Sequence, residues 1–491
     1  MKVTTLEITD EVNCRFRNLD ANTRKKIADR LKFFIPYARH TPAFKMGRWD
    51  GKKAFATAGG ATYINLLDRV LEFVIADGYE IEIDDRRKAW DFKFPEVTED
   101  LLADTCWPVG HPMAGEPILL RDYQVEAIKT YLEHRQSIQS ISTGAGKTLL
   151  TAALSKLCEP FGRTLVIVPS KDLVMQTEED YRNLGLDVGV YFGDRKEWGH
   201  THTISTWQSL GALMKKPDDA LPLLALGQRA GIMEFLEGVV TVMVDEVHSA
   251  KADVLTNLLT GPMANIPIRW GLTGTVPKEE YEFCSLLASL GPVVGEIRAD
   301  DLQEKGVLAA CDIEMVKLDD SHVEFKTYPE ELDFLCTDPR RLEFVSAYCT
   351  ELAASGNTLI LVDRIETGRT LQRLIPNSIF VSGETKSKDR KKEYKDVHFS
   401  DGKIIIATYG VAAVGINIPR IFNLVLFEAG KSFVRVIQSI GRGLRKSGDK
   451  DSVNIKDLSS SCKFSTKHAA VRRAYYKEAN YKHKITKMSY R

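Results

Sequence analysis

The chain has 491 residues, 44% hydrophobic and 27% charged, with 67 Lys/Arg balancing 67 Asp/Glu. That is too long for one core and too apolar for a disordered chain; at about 100–200 residues per domain it predicts three or so domains. No apolar run approaches the roughly 18 residues that cross a bilayer, Met1-Lys2-Val3-Thr4 lacks a secretion signal's apolar core, and eight scattered cysteines form no Cys-x-x-Cys pair. The reading is a cytoplasmic chain with reduced thiols, no zinc site, no disulfide framework and no membrane partner.

The charge is uneven. Residues 1–60 carry a net +7, residues 61–105 a net −7 and residues 461–491 a net +8. Basic regions attract nucleic-acid phosphates through counterion release, although such runs are also ordinary solvated surface.

Residues 1–95 read as a small α/β domain. Val3–Ile8 alternates like a strand, and Thr23–Phe34 has helical spacing at Ile27, Leu31 and Phe34. From Phe44 to Phe55, Phe44 and Trp49 sit among Lys45, Arg48, Lys52 and Lys53, with Asp50-Gly51 as a turn signal. This predicts a basic hairpin whose Trp49 either stacks on an unpaired base or packs on its own domain. Leu66–Ala76 reads as a second helix and Tyr79–Ile83 as a closing strand. Pro95, Pro108, Pro112 and Pro117, with Gly110 and Gly115, mark 96–117 as a linker.

Residues 118–300 alternate strand and helix. Ser137–Ile141 leads into Ser142-Thr143-Gly144-Ala145-Gly146-Lys147-Thr148, and a helix-forming run, Leu149–Leu157, leads out. Strand, glycine-rich turn and helix cradle a nucleotide's phosphates, with Lys147 reaching the β- and γ-phosphates and Thr148 holding magnesium. The strict pattern wants Gly where this chain has Ile141. Further strands are read at Thr164–Val168, Val188–Phe192, Thr203–Ser205, Val239–Val244 and Arg269–Thr273. A strand ending in Asp245-Glu246 supplies a carboxylate for magnesium and a second to polarise the attacking water. Apolar strands alternating with helices make a parallel sheet with ligands at the strands' carboxyl ends.

Residues 301–339 read as a connector. Residues 340–455 repeat the alternation, with strands at Thr358–Val362, Ser378–Val381, Lys403–Ala407 and Phe422–Phe427, but hold no second Gly-Lys-Thr. There Gln438-Ser439-Ile440-Gly441-Arg442-Gly443-Leu444-Arg445 places two arginines three apart. Two guanidinium groups on one face fit a γ-phosphate and its developing charge. Residues 456–491 read as a basic C-terminal tail.

The ordered set resembles a superfamily 2 helicase of the DExH kind. Leu120-Arg121-Asp122-Tyr123-Gln124 looks like the adenine-reading motif, Ser142–Thr148 like motif I, Val168–Gln176 like motif Ia and Ser205–Leu210 like the next strand-contacting motif. Asp245–His248 looks like motif II, Thr273–Thr275 like III, Leu361–Arg364 like IV, Ala407–Pro419 like V and Gln438–Arg445 like VI. Asn417 departs from the Asp common in motif V. The stretch Phe44–Gly51 and the sequence Gly441–Lys446 resemble the phage UvsW-type helicases in particular.

The resemblance implies an α/β fold of two RecA-like parallel-sheet lobes, with a small N-terminal α/β domain and a basic C-terminal helical tail. It implies ATP and Mg2+ as cofactors. Arg121, Gln124, Thr143, Gly144, Ala145, Gly146, Lys147, Thr148, Asp245 and Gly415 would bind the nucleotide, Thr148 and Asp245 the metal. Glu246, Gln438, Arg442 and Arg445 would be catalytic. Ser170, Lys171, Thr206, Trp207, Arg364, Thr408 and Gly410 would contact the strand, alongside Trp49. The implied partners are branched or forked DNA, single-stranded and duplex DNA, and RNA in R-loops, with no obligate protein partner evident. RNA unwinding, a nucleotide-switched clamp that binds without stepping, and the motor subunit of a restriction or nuclease complex are the rival readings.

Overall fold

A computed structural model describes the chain apart from residues 1, 110, 112, 215–230, 248–251, 386–399, 412–419, 431–451, 479 and 491. It divides into two units, residues 1–141 with 147–296, and residues 142–146 with 297–491.

The first unit begins with six short strands: β1 (Lys2–Ile8), β2 (Asn13–Arg17), β3 (Lys32–Phe34), β4 (Lys52–Ala54), β5 (Ala61–Tyr63) and β6 (Tyr79–Asp85). Four make a sheet in the order β5-β2-β1-β6, with β1 antiparallel to β2 and parallel to β6. The helix expected to reach Phe34 spans only Ala21–Arg30, because Lys32–Phe34 pairs with β4 instead. Aromatic residues suit a pleated surface, and that long-range pairing overrides the local periodicity. The hairpin expected over Phe44–Phe55 is therefore a ribbon between β3 and β4. Phe44 lies on a helical turn, Pro42–Lys45, started by Pro42 and capped by Thr41. Leu66–Ala76 is broken at Val70, with a 3-10 turn before it and a short helix after it.

The hydrophobic core of this module is completed by a helix from the sheet region that follows it. Leu6, Phe16, Ile27, Leu31, Leu66 and Val74 pack in one cluster with Tyr281, Cys284 and Ala288 of the helix Glu280–Leu290. Gln136 donates from Nε2 to the Glu11 carbonyl at 2.7 Å, and Asn13 from Nδ2 to the Thr260 carbonyl at 3.0 Å. Residues 1–85 and the sheet that follows are thus built as one body.

That sheet has eight strands: β7 (Gln136–Ile141), β8 (Arg163–Val168), β9 (Val188–Phe192), β10 (Arg195–Lys196), β11 (His202–Thr206), β12 (Val239–Asp245), β13 (Ile268–Thr273) and β14 (Val293–Ile297). Their order is β10-β9-β11-β8-β12-β13-β7-β14. β7, β8, β9, β11, β12 and β13 run parallel and are buried along nearly their whole length, as strands covered on both faces must be. Ile141, where the strict phosphate-loop pattern has Gly, is the last residue of β7 and is fully buried. Its side chain serves the core, and the tight turn starts one residue later.

The second unit holds a seven-stranded sheet of β15 (Ala310–Leu318), β16 (Thr358–Val362), β17 (Ile379–Val381), β18 (Ile404–Thr408), β19 (Asn423–Phe427), β20 (Ser452–Ser460) and β21 (His483–Met488). The order is β17-β18-β16-β19-β20-β15-β21, all in parallel pairs. Two expectations need correction. The connector 301–339 contains β15, a central strand, and the helical tail 456–491 contains most of β20 and all of β21 around its helix, Lys463–Glu478. Ser452–Ser460 is rich in Ser, Asn and Asp, residues depleted in strands, so only its place between β19 and β15 reveals it.

This unit buries charge. Arg341, fully buried, pairs with Glu428 at 2.7 Å and Asp320 at 3.4 Å. Arg472 pairs with Asp457 at 2.7 Å and donates to the Gly430 carbonyl at 2.6 Å. Buried ions are stable only when paired and hydrogen-bonded in this way. No helix among the described residues is long and apolar enough to cross a membrane.

Candidate ATP site

The loop 142–146 joins β7 to the helix Lys147–Cys158. Gly144 and Gly146 have φ of +91° and +86°, a left-handed backbone that glycine adopts without a Cβ clash and that turns successive N–H groups inward. Thr143 and Ala145 lie between and beside them in the same turn, Ala145 donating its N–H to the Ser142 carbonyl at 3.3 Å. Lys147 and Thr148 open the helix, whose amino end favours an anion.

β12 delivers Asp245 as its last residue, with Glu246 next. Glu246 has φ of +51°, a conformation that costs a non-glycine residue of order 1 kcal/mol and recurs at functional sites. The turn aims its carboxylate at Lys147, 2.9 Å from Oε1 to Nζ, and the Gly274 N–H donates to Oε2 at 3.4 Å. Lys147 also donates to the Ile141 carbonyl at 3.3 Å. Asp245 accepts the Glu246 N–H at 2.9 Å. Burial, reinforced by the Glu246 charge, pushes the Asp245 carboxyl up to about 7 against the pull of Lys147. A carboxylate in that position gains most from a nearby cation, so the donor set fits the expected magnesium.

Gln124, buried, accepts the Arg121 N–H at 2.9 Å and returns its own N–H to the Arg121 carbonyl at 2.9 Å. The two expected adenine readers are therefore locked to each other at the start of the helix Asp122–Glu133.

The expected strand-contacting residues fall at carboxyl ends of parallel strands. Ser170 follows β8 and caps the helix Lys171–Asn183, accepting from the Leu173 N–H, with Lys171 exposed beside it. Thr206 ends β11 and caps the next helix through Ser209. Trp207 is half-buried, and its buried indole N–H has no hydrogen-bond partner among the described residues. In the second unit Thr408 ends β18 and Gly410 is exposed two residues on, while Arg364 follows β16 and pairs with Asp333 at 2.6 Å. Trp49 is half-buried on the N-terminal core and donates its indole N–H to the Lys52 carbonyl at 2.9 Å. Of its two readings, this geometry favours packing on its own domain. Gly415, Asn417, Gln438, Arg442, Arg445 and His248 lie outside the described residues.

One polar junction has no signal in the sequence. Asp253, eight residues beyond Asp245, accepts from Lys53 at 2.6 Å, Tyr281 at 2.7 Å and Tyr37 at 2.9 Å. It ties the N-terminal module to the two helices that follow Asp245–Glu246 and Thr273–Thr275. The three donors are far apart in the chain, so no spacing reveals them.

Two family descriptions match the chain in order: the res subunit of type III restriction enzymes over residues 117–278, and the helicase conserved C-terminal domain over residues 341–447. The chain is 24% identical over 477 residues to the ATP-dependent DNA helicase uvsW of Enterobacteria phage T4, spanning 93% of this chain and 90% of that one. It is 24% identical over 384 residues to a putative DNA 3'-5' helicase of Haloarcula marismortui, spanning 72% and 57%. Among solved structures, Dbp5 of S. cerevisiae bound to RNA and ADP BeF3 is similar in fold, with a TM-score of 0.51 at 14% identity over 76% of this chain and 90% of that one. With the phosphate loop and its carboxylate pair inside the first of these matches, the chain belongs to the superfamily 2 helicases and is an ATP-dependent helicase.

Proposed function

We propose that this helicase is a DNA motor that remodels branched intermediates, by fork regression, Holliday-junction migration and removal of R-loops, in phage replication, recombination and repair. The observation that carries the reading is the N-terminal basic module built into the core of the ATP-binding sheet through the helix Glu280–Leu290. The similarity to the T4 helicase supports it by running through that module as well as the motor.

The residues fit an ordered turnover. Lys147 and Glu246 pair at 2.9 Å at the mouth of the glycine loop. When ATP binds, its phosphates draw Lys147 away, and the freed Glu246 orients water at the γ-phosphorus and takes its proton as the bond to ADP breaks. Thr148 and Asp245 would hold magnesium, which supplies charge neutralisation at the phosphates. Arg121 and Gln124 would read adenine, and Gly415, Gln438, Arg442 and Arg445 would complete the site. The strand rim would be Ser170, Lys171, Thr206, Trp207, Arg364, Thr408 and Gly410, contacting backbone without reading sequence.

Lys45 and Arg48 are exposed and form no ion pair among the described residues, so they are better candidates than Trp49 for reaching a junction. Deleting residues 1–95 would strip Tyr281, Cys284 and Ala288 of their cover, so point variants are the sound test. In Lys45→Glu with Arg48→Glu, fork binding is expected to weaken and its salt slope to fall by about two contacts, while linear duplex binding changes less. An unchanged fork-to-duplex affinity ratio would remove the module from substrate choice.

A further inference from the structure

Residues 86–98 form no strand or helix apart from a bend, yet they hold a stacked aromatic array. Trp90, Phe92 and Phe94 alternate, so in an extended segment they share one side. Trp90 stacks on Phe92 at 5.4 Å between centroids and 7° between planes, and Phe92 on Phe94 at 6.0 Å and 16°. Phe161 supports the last two edge-on, at 5.1 and 5.2 Å. All four rings stay only half-buried.

Phe92 stacks on Trp90, and the ammonium of Lys88 lies over the same indole, 3.9 Å from its ring centroid. Lys88 is exposed and has no carboxylate partner among the described residues. A second cation, Arg135, lies over Phe92 at 5.4 Å. An indole capped by a flexible lysine has the chemistry of a stacking platform for a nucleobase. The base takes the ring face, and the lysine swings to the phosphate.

The place in the fold separates this surface from the strand rim. Arg135 immediately precedes β7 and Phe161 lies two residues before β8, so the rings sit at the amino ends of the parallel strands. Lys147, Ser170, Thr206 and Asp245 are all at carboxyl ends. A strand held at the motor's rim is therefore at the opposite edge of the sheet from Trp90.

We infer that Trp90, with Lys88, forms a second binding site that takes an unpaired base of single-stranded nucleic acid. The surrounding charge is nearly balanced, since Arg86 and Arg87 pair with Asp84 and Asp85, and Lys93 with Asp91. Binding here rests on stacking rather than on counterion release, and that makes it separable from every basic-patch effect.

The test needs no ATP and so does not depend on the proposed DNA activity. Wild type is measured by anisotropy against a short labelled oligothymidylate and against an abasic strand of equal length, over a range of salt. Stacking of one base is worth about 1–3 kcal/mol, a factor of roughly five to 150. Wild type should prefer the base-bearing strand by a factor in that range, and Trp90→Leu should lose the preference without changing the salt slope. Trp90→Phe should keep most of it, while Lys88→Gln should lower the slope by no more than about one. If Trp90 only fastens this segment to Phe161, Trp90→Leu lowers the melting temperature and leaves the preference intact, which overturns the site. A 4-thiothymidine strand decides the matter independently of stability, since cross-links should map to residues 88–94. Cross-links confined to carboxyl-end residues would also overturn it.

Discussion

Two glutamates invite comparison. Glu246 directly follows β12 and Glu428 directly follows β19, and both take a left-handed backbone, with φ of +51° and +45°. Each turns its carboxylate onto a cation, Lys147 at 2.9 Å and Arg341 at 2.7 Å. Their surroundings differ. Lys147 stands at the end of a glycine loop with one further acceptor, the Ile141 carbonyl. Arg341 is sealed in, donating also to Asp320 and the Leu335 carbonyl, while Glu428 accepts from Ser465. Burial pushes the Glu428 carboxyl up even against Arg341. The same backbone device thus serves a partly exposed pair beside the glycine loop and a pair sealed in the core. Under the proposed function, what sets the first pair apart is access and a movable partner, not the turn.

Substitutions on both pairs sharpen this contrast. The largest effect should come from Lys147→Met, which removes the countercharge to the phosphates: hydrolysis should vanish while the urea midpoint stays near wild type. Glu246→Gln should slow turnover by about 10²–10⁴-fold and leave ATP binding intact, as single-turnover assays would show. A loss below tenfold would mean that another group positions the water.

Arg341→Met makes the same exchange in the second unit. It leaves Glu428 and Asp320 buried without their cation and should cost about 3–5 kcal/mol in urea unfolding, with turnover per folded molecule preserved. If this variant lost hydrolysis at unchanged stability, the second pair would belong to the chemistry and the comparison would fail. Arg442→Ala and Arg445→Ala should be defective in hydrolysis, with modest loss of ATP affinity. Either variant at full stimulated rate would lose its catalytic assignment.

Asp253→Asn should give the smallest change, about 1 kcal/mol, because the junction is half-exposed. Burial raises the Asp253 carboxyl, but hydrogen bonds from Lys53 and Tyr281 outweigh it and hold the group below its usual value. A lowered folded value stabilises the protein above the ordinary carboxylate range, and that stability is lost as pH falls through the folded value. The gap between wild type and variant should therefore close in acid. A gap independent of pH would assign the effect to packing.

The same contrast explains what could be read in the sequence. Ser142–Thr148 and Asp245–Glu246 were legible because phosphate chemistry demands glycine, lysine and paired acids at short spacing, flanked by apolar strands. The four strands β16 to β19 were legible from their apolar runs. β20 was not, because Ser, Asn and Asp there are tolerated only through long-range pairing and a buried arginine, Arg472. Asp253 escaped for the same reason, its donors lying at positions 37, 53 and 281. Local chemistry writes itself into spacing, whereas contacts closed by the fold do not.

The most direct test of the motor reading is ATP hydrolysis by the full chain, measured side by side with forked DNA, matched linear duplex, single-stranded DNA and single-stranded RNA. The account predicts strong stimulation by the fork, less by linear DNA, and none of it in Glu246→Gln. Stimulation by RNA alone, or equal rates with and without any strand, would contradict it.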